Sequence, residues 1–284
     1  MGRSMTTVPK VYYARDVNRF TEEDSRFVSA LPSMKVGVKV GLTAMHAFDQ
    51  SGRSVANNVR KCVTKAGGDV IWDAKLDDIP SQIVGAVRGI VSLEVAGFTV
   101  KASGGVSMMK AALAARDTGF ERLMAHYEAD QEANELKNIP PPTRPILFGV
   151  TVLSSSRHAH DEDGENGEHA KESVIEKVLR YAARVERAGC DGLVCPGAAL
   201  AAVKDRYGDR FKTLVTGIRP QWATWIVDDD QHLTITHVEA ATLSADYIVI
   251  GRPVYCSKHP AETLARVQLE MEHRIGPTAL SRGV

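Results

Sequence analysis

The chain has 284 residues, 44% of them hydrophobic and 25% charged, with 35 Lys and Arg balanced by 35 Asp and Glu. That length suits one large α/β domain or two small ones. A formal net charge of zero argues against a bulk polyanion such as nucleic acid as partner, while leaving room for a local anion site.

No apolar run approaches the ~18 residues that span a membrane. The opening MGRSMTTVPK lacks the apolar core of a secretion signal, so a cytoplasmic protein is expected. In chain order, the first β-branched apolar run is Val11–Ala14, followed closely by Asp16. The second is KVGVKVG, Lys35–Gly41, with Lys39 inside it, and the amphipathic stretch SVANNVRKCVTKAG follows. VIWDAKL, Val70–Leu76, precedes SQIVGAVRGIVSL, and FTVKA covers Phe98–Ala102. ILFGVTVL, Ile146–Leu153, and GLVCP, Gly192–Pro196, bracket SVIEKVLRYAARVERAG. FKTLVTG, Phe211–Gly217, and YIVIG, Tyr247–Gly251, complete eight candidate strands. Strands alternating with helical periods imply a parallel sheet with crossover helices. Eight such units fit a single (β/α)8 TIM barrel over residues 1–284, with an open doubly wound sheet as the competing architecture.

Two stretches interrupt the rhythm. Glu121–Arg144 contains YEADQEANELKN and then IPPPTRP, and reads as an extra helix or excursion ended by prolines. Ser154–His169 is polar and follows the fifth strand, where a barrel builds its active site; it reads as a solvated loop or as a lid over substrate. Cys62, Cys190, Cys195 and Cys256 form no CxxC pair, so neither a zinc site nor a redox pair is expected.

Charged residues fall where apolar ones would suffice. Asp73 and Lys75 are two apart at the end of the third strand and so share a face. One buried ion pair serving only the fold is the plain explanation. Lys39 in the second strand and Asp16 after the first add ionisable groups at neighbouring strand ends, which a barrel gathers around one mouth. Asp16, Lys39, Asp73, Lys75 and Asp78 are therefore expected to form an alternating charge network. The last two strands end in Thr216-Gly217-Ile218-Arg219-Pro220 and Gly251-Arg252-Pro253, the loops where barrels hold phosphate. Each arginine alone could equally be a surface residue beside a turn proline.

With those residues in place, D-x-K-x-x-D-I, read as Asp73, Lys75, Asp78 and Ile79, resembles the signature of the orotidine 5'-phosphate decarboxylase family. KASGG at Lys101–Gly105, TVLSS at Thr151–Ser155, GCDGLVCP, VTGIRP followed by DDQ, and ADYIVIGRPV resemble its flanking motifs in order. The resemblance spans about Val11 to Leu269 and implies decarboxylation of orotidine 5'-monophosphate to uridine 5'-monophosphate, with no metal or organic cofactor. It implies Lys75 as the group that stabilises and protonates a C6 carbanion, Asp73 beside the substrate carboxylate, and Lys39 and Asp16 at the ribose. It implies Asp78 and Ile79 reaching into the site of a second subunit, hence a homodimer with shared sites. It places Ser154 at the base, and Arg219, Gln231, Gly251 and Arg252 at the phosphate.

Gln82 and Lys101 replace a threonine and a histidine of the pattern, and no proline precedes Gly217. These departures leave room for a modified pyrimidine nucleotide. The long stretch from Arg219 to Gln231 lets Gln221 compete for the glutamine role. The 3-keto-gulonate 6-phosphate decarboxylase type shares D-x-K-x-x-D but uses a metal and has an acidic residue where Lys39 stands. A catalytically silent nucleotide-binding barrel is the non-enzymatic alternative.

Overall fold

The computed structural model describes residues 8–49, 51–132, 140–156, 172–226 and 229–275. Its strands are β1 (Lys10–Arg15), β2 (Gly37–Val40), β3 (Val70–Leu76), β4 (Gly97–Lys101), β5 (Ile146–Val150), β6 (Gly192–Pro196), β7 (Lys212–Thr216) and β8 (Tyr247–Ile250). All pair in parallel in sequence order, and β1 pairs with β8 as well as β2, so the sheet closes into a barrel. That closure removes the open-sheet alternative.

Among the described residues the helices are α1 (Glu22–Ala30), α2 (Leu42–Met45), α3 (Val55–Lys65), α4 (Pro80–Val91), α5 (Gly105–Glu132), α6 (Val174–Ala188), α7 (Leu200–Tyr207), α8 (His237–Thr242), α9 (Arg252–Tyr255) and α10 (Pro260–Ile275). Their ends are written locally. Thr21 with Asp24, Ser173 with Glu176, and Thr236 with Glu239 form reciprocal capping boxes that satisfy otherwise orphaned N–H groups. Gly189 ends α6 in the left-handed conformation (φ 83°) that glycine adopts without penalty.

The stretch beginning at Glu121 is not a separate helix. It continues α5 to Glu132, a run of 28 residues. Gly119 does not break the helix; it lies against α4, where an added Cβ would sit 3.3 Å from Val91 Cγ1. Residues 133–139 of the expected excursion, and 157–169 of the expected lid, lie outside the described residues.

Side chains alternate between two cores. Val11 and Tyr13 pack outward against the helices, whereas Tyr12 and Ala14 point into the barrel with Ile71, Phe148, Val150, Val194, Leu214 and Val249. Three strand glycines make room for the rings: a Cβ at Gly37 would collide with Tyr12, and one at Gly192 with Phe148, while one at Gly97 would lie 2.9 Å from Ile146 O. Tyr247 meets Tyr12 and Phe148 edge-on, with ring centroids 5.8 and 5.9 Å apart. Aromatic packing thus fills the barrel interior toward the strand N-termini. Beyond it, toward the C-terminal ends, the interior-facing positions turn polar: Lys39, Asp73 and Thr99 are all buried.

A second buried charge cluster belongs to the fold alone. Arg116 of α5, 1% exposed, pairs with Asp117 and Asp191 and donates to Pro145 O, tying α5 to the segments that enter β5 and β6. It lies at the N-terminal ends of those strands, opposite the end where barrels place their chemistry.

Candidate active site

At the C-terminal ends of the strands lies a cavity of about 600 Å³, within the range that encloses a small ligand. Its floor is apolar, formed by Ala14, Val150, Val194, Leu214 and Val249. One wall carries an alternating row of charges. Lys39 Nζ lies 3.1 Å from Asp16 Oδ2 and 2.8 Å from Asp73 Oδ2, and Lys75 Nζ lies 2.7 Å from the same Asp73 oxygen. Burial opposes ionisation of Asp73, but Lys39 and Lys75 outweigh it and hold the carboxyl far below the usual range. Burial likewise opposes the Lys39 ammonium, and Asp73 and Asp16 outweigh it, raising its pKa. Both charges therefore persist across the neutral range. The row is preorganised around its buried centre, Lys39 and Asp73, while Asp16 and Lys75 at its ends are partly exposed.

Four of the five charged residues expected to cluster do so. Asp78 does not: it is exposed, and its Oδ1 accepts from the Ile79 amide at 2.7 Å at the start of α4. Ile79 is 61% exposed, a large apolar side chain that does not line this chain's own cavity. Two residues separate Asp78 from Lys75, and the chain has already turned out of β3 by then. Gln82 is exposed on α4, and Lys101 Nζ lies 4.0 Å from Asp77 Oδ2, so neither departure from the family pattern falls on the cavity wall.

The opposite end of the cavity is built from the segments after β7 and β8. Arg219 holds Asp229 through Nε and a terminal nitrogen at 2.5 and 2.7 Å, and Arg252 lies 3.0 Å from Asp229 and also pairs with Asp230. Arg219 first, with Arg252 beside it, pulls the Asp229 pKa down to about 2, and Arg252 lowers that of Asp230. Two guanidiniums thus converge on the Asp229 carboxylate, and a tetrahedral anion entering this end would take that carboxylate's place. Ser154 Oγ donates to Gln231 Oε1, while the Ser154 carbonyl accepts from the His232 and Leu233 amides at 3.0 and 3.1 Å. Gln231 lines this cavity; Gln221 lines a separate one beside Trp222. Gly217 (φ 76°) permits the sharp turn after β7, because a Cβ there would lie 2.8 Å from Leu233 O.

Four residues of the site have little signature in the sequence. Asp229 and Asp230 stand out only as part of the DDQ motif, and their pairing with the arginines is seen only in the structure. Thr99 bonds both Asp73 and Lys75, and its one sequence trace is a polar residue within FTVKA. Gly41 is the fourth: a Cβ there would collide with the Asp16 carboxylate, so only glycine lets Asp16 reach Lys39. Gly41→Ala is accordingly expected to lower kcat/KM about tenfold, the worth of one charge-assisted hydrogen bond. The Gly41 backbone is extended (φ −104°), so alanine introduces no torsional strain, and an unchanged Tm is the companion expectation. Unaltered kinetics in that variant would show that Asp16 needs no such clearance.

Among the described residues no group of three or more His, Cys, Asp and Glu could hold a metal ion, and no helix is long and apolar enough to cross a membrane. The sequence profile of the Orotidine 5'-phosphate decarboxylase / HUMPS family matches residues 9–267. The chain is 32% identical over 264 residues to an orotidine 5'-phosphate decarboxylase of Paramagnetospirillum magneticum, covering 92% of this chain and 97% of that one. It is 32% identical over 265 residues to one of Tolumonas auensis, covering 93% and 99%. Among solved structures, an orotidine 5'-phosphate decarboxylase from Lactobacillus acidophilus superposes with a TM-score of 0.68 at 23% identity, covering 93% of this chain and 99% of that one, a likeness of fold.

Proposed function

This chain belongs to the orotidine 5'-phosphate decarboxylase / HUMPS family, and from that premise we propose that it is a carboxy-lyase converting orotidine 5'-monophosphate to uridine 5'-monophosphate without a metal. The observation that carries this reading is the row Asp16–Lys39–Asp73–Lys75 along one wall of a cavity whose far end holds Arg219 and Arg252. The substrate lies with its phosphate at the two arginines, its ribose hydroxyls toward Lys39 and Asp16, and its pyrimidine over the apolar floor with Ser154 at the base edge. Its carboxylate then faces Asp73, whose charge is not relieved by protonation because two lysines hold it ionised. The C6–carboxylate bond breaks, carbon dioxide leaves, and the electron pair remains on C6. Lys75 stabilises that pair and transfers its ammonium proton to C6; solvent returns the proton to Lys75.

Such a carbanion is costly in water, and the largest enzymatic accelerations exceed ~10¹⁷-fold. Fixed charges aimed at the developing carbanion are the effect that contributes most. Phosphate binding at a distance from C6 supplies the free energy to hold the substrate against the Asp73 carboxylate. Lys39 also separates this reading from the keto-gulonate type. Its ammonium lies between Asp16 and Asp73, so the carboxylates that could gather a divalent ion are already neutralised. The exposed Asp78 and Ile79 suit contact with a second copy, which makes the proposed active unit a homodimer.

The test is incubation of purified protein with orotidine 5'-monophosphate, following the loss of its ultraviolet absorbance. Turnover is expected to survive exhaustive chelation and dialysis, and the protein to sediment at twice the chain mass. No absorbance change would overturn the substrate. Activity lost to chelator and restored by magnesium would overturn the metal-free mechanism, and a monomeric mass would overturn the shared site.

A further inference from the structure

β3 does not run straight past β4. Trp72 pairs with Phe98 and Leu76 with Val100, so three residues of β3 stand opposite the single residue Thr99. The excess is absorbed as a bulge in which Lys75 takes a left-handed backbone conformation, φ 47°. For a residue with a Cβ that conformation is disfavoured and persists only where the surroundings impose it. One hydroxyl spans the bulge. Thr99 Oγ1 accepts the Lys75 backbone N–H at 2.8 Å and donates its own proton to Asp73 Oδ1 at 2.9 Å. Thr99 is fully buried, so its hydroxyl holds both bonds without competition from bulk water. The other Asp73 oxygen, Oδ2, receives both lysine ammoniums. The carboxylate is therefore oriented from both sides: charge on one oxygen, Thr99 on the other.

We propose that Thr99 is a positioning residue for this site, a single hydroxyl that sets the Asp73 carboxylate and the Lys75 backbone together. It acts on the reaction only through those two groups, and the proposal rests on the decarboxylase reading for its kinetic consequence. The physical reason is a matter of tolerance: a displacement near 1 Å of a reacting group costs on the order of 10²-fold in rate. A β-bulge without its cross-strand pin has the freedom to make such a displacement.

The test compares Thr99→Val, which keeps shape and removes both bonds, with Thr99→Ser, which keeps the hydroxyl and removes a methyl. Thr99→Val is expected to lower kcat about 10²-fold with KM within threefold, since phosphate and ribose contacts are untouched. Thr99→Ser is expected to return kcat to within about threefold of wild type. A purely packing role predicts the opposite order, because serine leaves the cavity and valine fills it. Backbone amide exchange gives a readout independent of any substrate: the Lys75 amide is expected to be protected in wild type and Thr99→Ser and to exchange rapidly in Thr99→Val. Near-wild-type kcat in Thr99→Val, or equal losses in both variants, overturns the proposal. If wild type fails to decarboxylate orotidine 5'-monophosphate, the functional reading falls, and Lys75 amide exchange alone decides Thr99: unchanged protection in Thr99→Val overturns it.

Discussion

Lys75→Ala is expected to abolish turnover while leaving a folded protein that still binds uridine 5'-monophosphate. Two contributions vanish with the ammonium. One is a fixed cation beside the developing carbanion, for which a comparable preorganised donor supplies ~10²–10³ in rate. The other is the proton donor, a role worth ~10²–10⁴. Their combined loss is at least about 10⁴-fold. The fold survives for a structural reason. Asp73 keeps Lys39 at 2.8 Å and Thr99 at 2.9 Å, so its buried charge is still compensated when Lys75 is gone. Alanine also meets the same left-handed backbone demand as lysine at φ 47°. Circular dichroism and calorimetric titration with uridine 5'-monophosphate check the fold and the binding. Turnover within tenfold of wild type would remove Lys75 from the chemistry.

Arg252→Ala is expected to lower kcat/KM for orotidine 5'-monophosphate by two to three orders of magnitude and to leave the slow reaction of the nucleoside nearly unchanged. Loss of a desolvated guanidinium–phosphate contact costs ~2–5 kcal/mol, which brackets that range. The nucleoside lacks the group that Arg252 would hold, so it reports damage to the rest of the site. That control matters because Arg252 also pairs with Asp229 and Asp230, and its removal leaves Asp229 to Arg219. Phosphite added to the nucleoside reaction gives a second reading: activation is expected in wild type and absent in the variant. Equal damage to nucleotide and nucleoside turnover would make Arg252 a support of the loop after β7 and would sink the phosphate assignment.

The residues of the charge row are legible in the amino-acid sequence, and their arrangement is only half so. Asp16, Lys39, Asp73 and Lys75 stand out because each is ionisable at the end of an apolar run, where a strand must either bury or partner it. Reading Asp73 and Lys75 as one face of a regular strand gives the right meeting point by the wrong path. The two converge through a bulge, which is a mismatch between β3 and β4 and has no trace in β3 alone. Asp78 is legible as part of the motif but not in place, because the chain leaves the barrel between Lys75 and Asp78. Spacing does not settle the competition between Gln221 and Gln231; packing of Trp222 against Glu270 and Arg266 carries Gln221 to a different cavity.

What the sequence determined by itself is what local periodicity encodes: eight short apolar strands, the helices between them with their Ser, Thr and Gly ends, and the chemical kind of residue at each strand terminus. Those features depend on neighbours within a few positions along the chain, so residue order suffices to read them. Only the tertiary structure decided that β8 pairs with β1 and that one threonine bonds both Asp73 and Lys75. It also decided that Asp229 and Asp230, in the segment after β7, meet Arg252 in the segment after β8. Each of these joins residues tens of positions or more apart, or carried by separate loops. Their proximity is fixed by closure of the sheet and burial of its two cores, which no local pattern records.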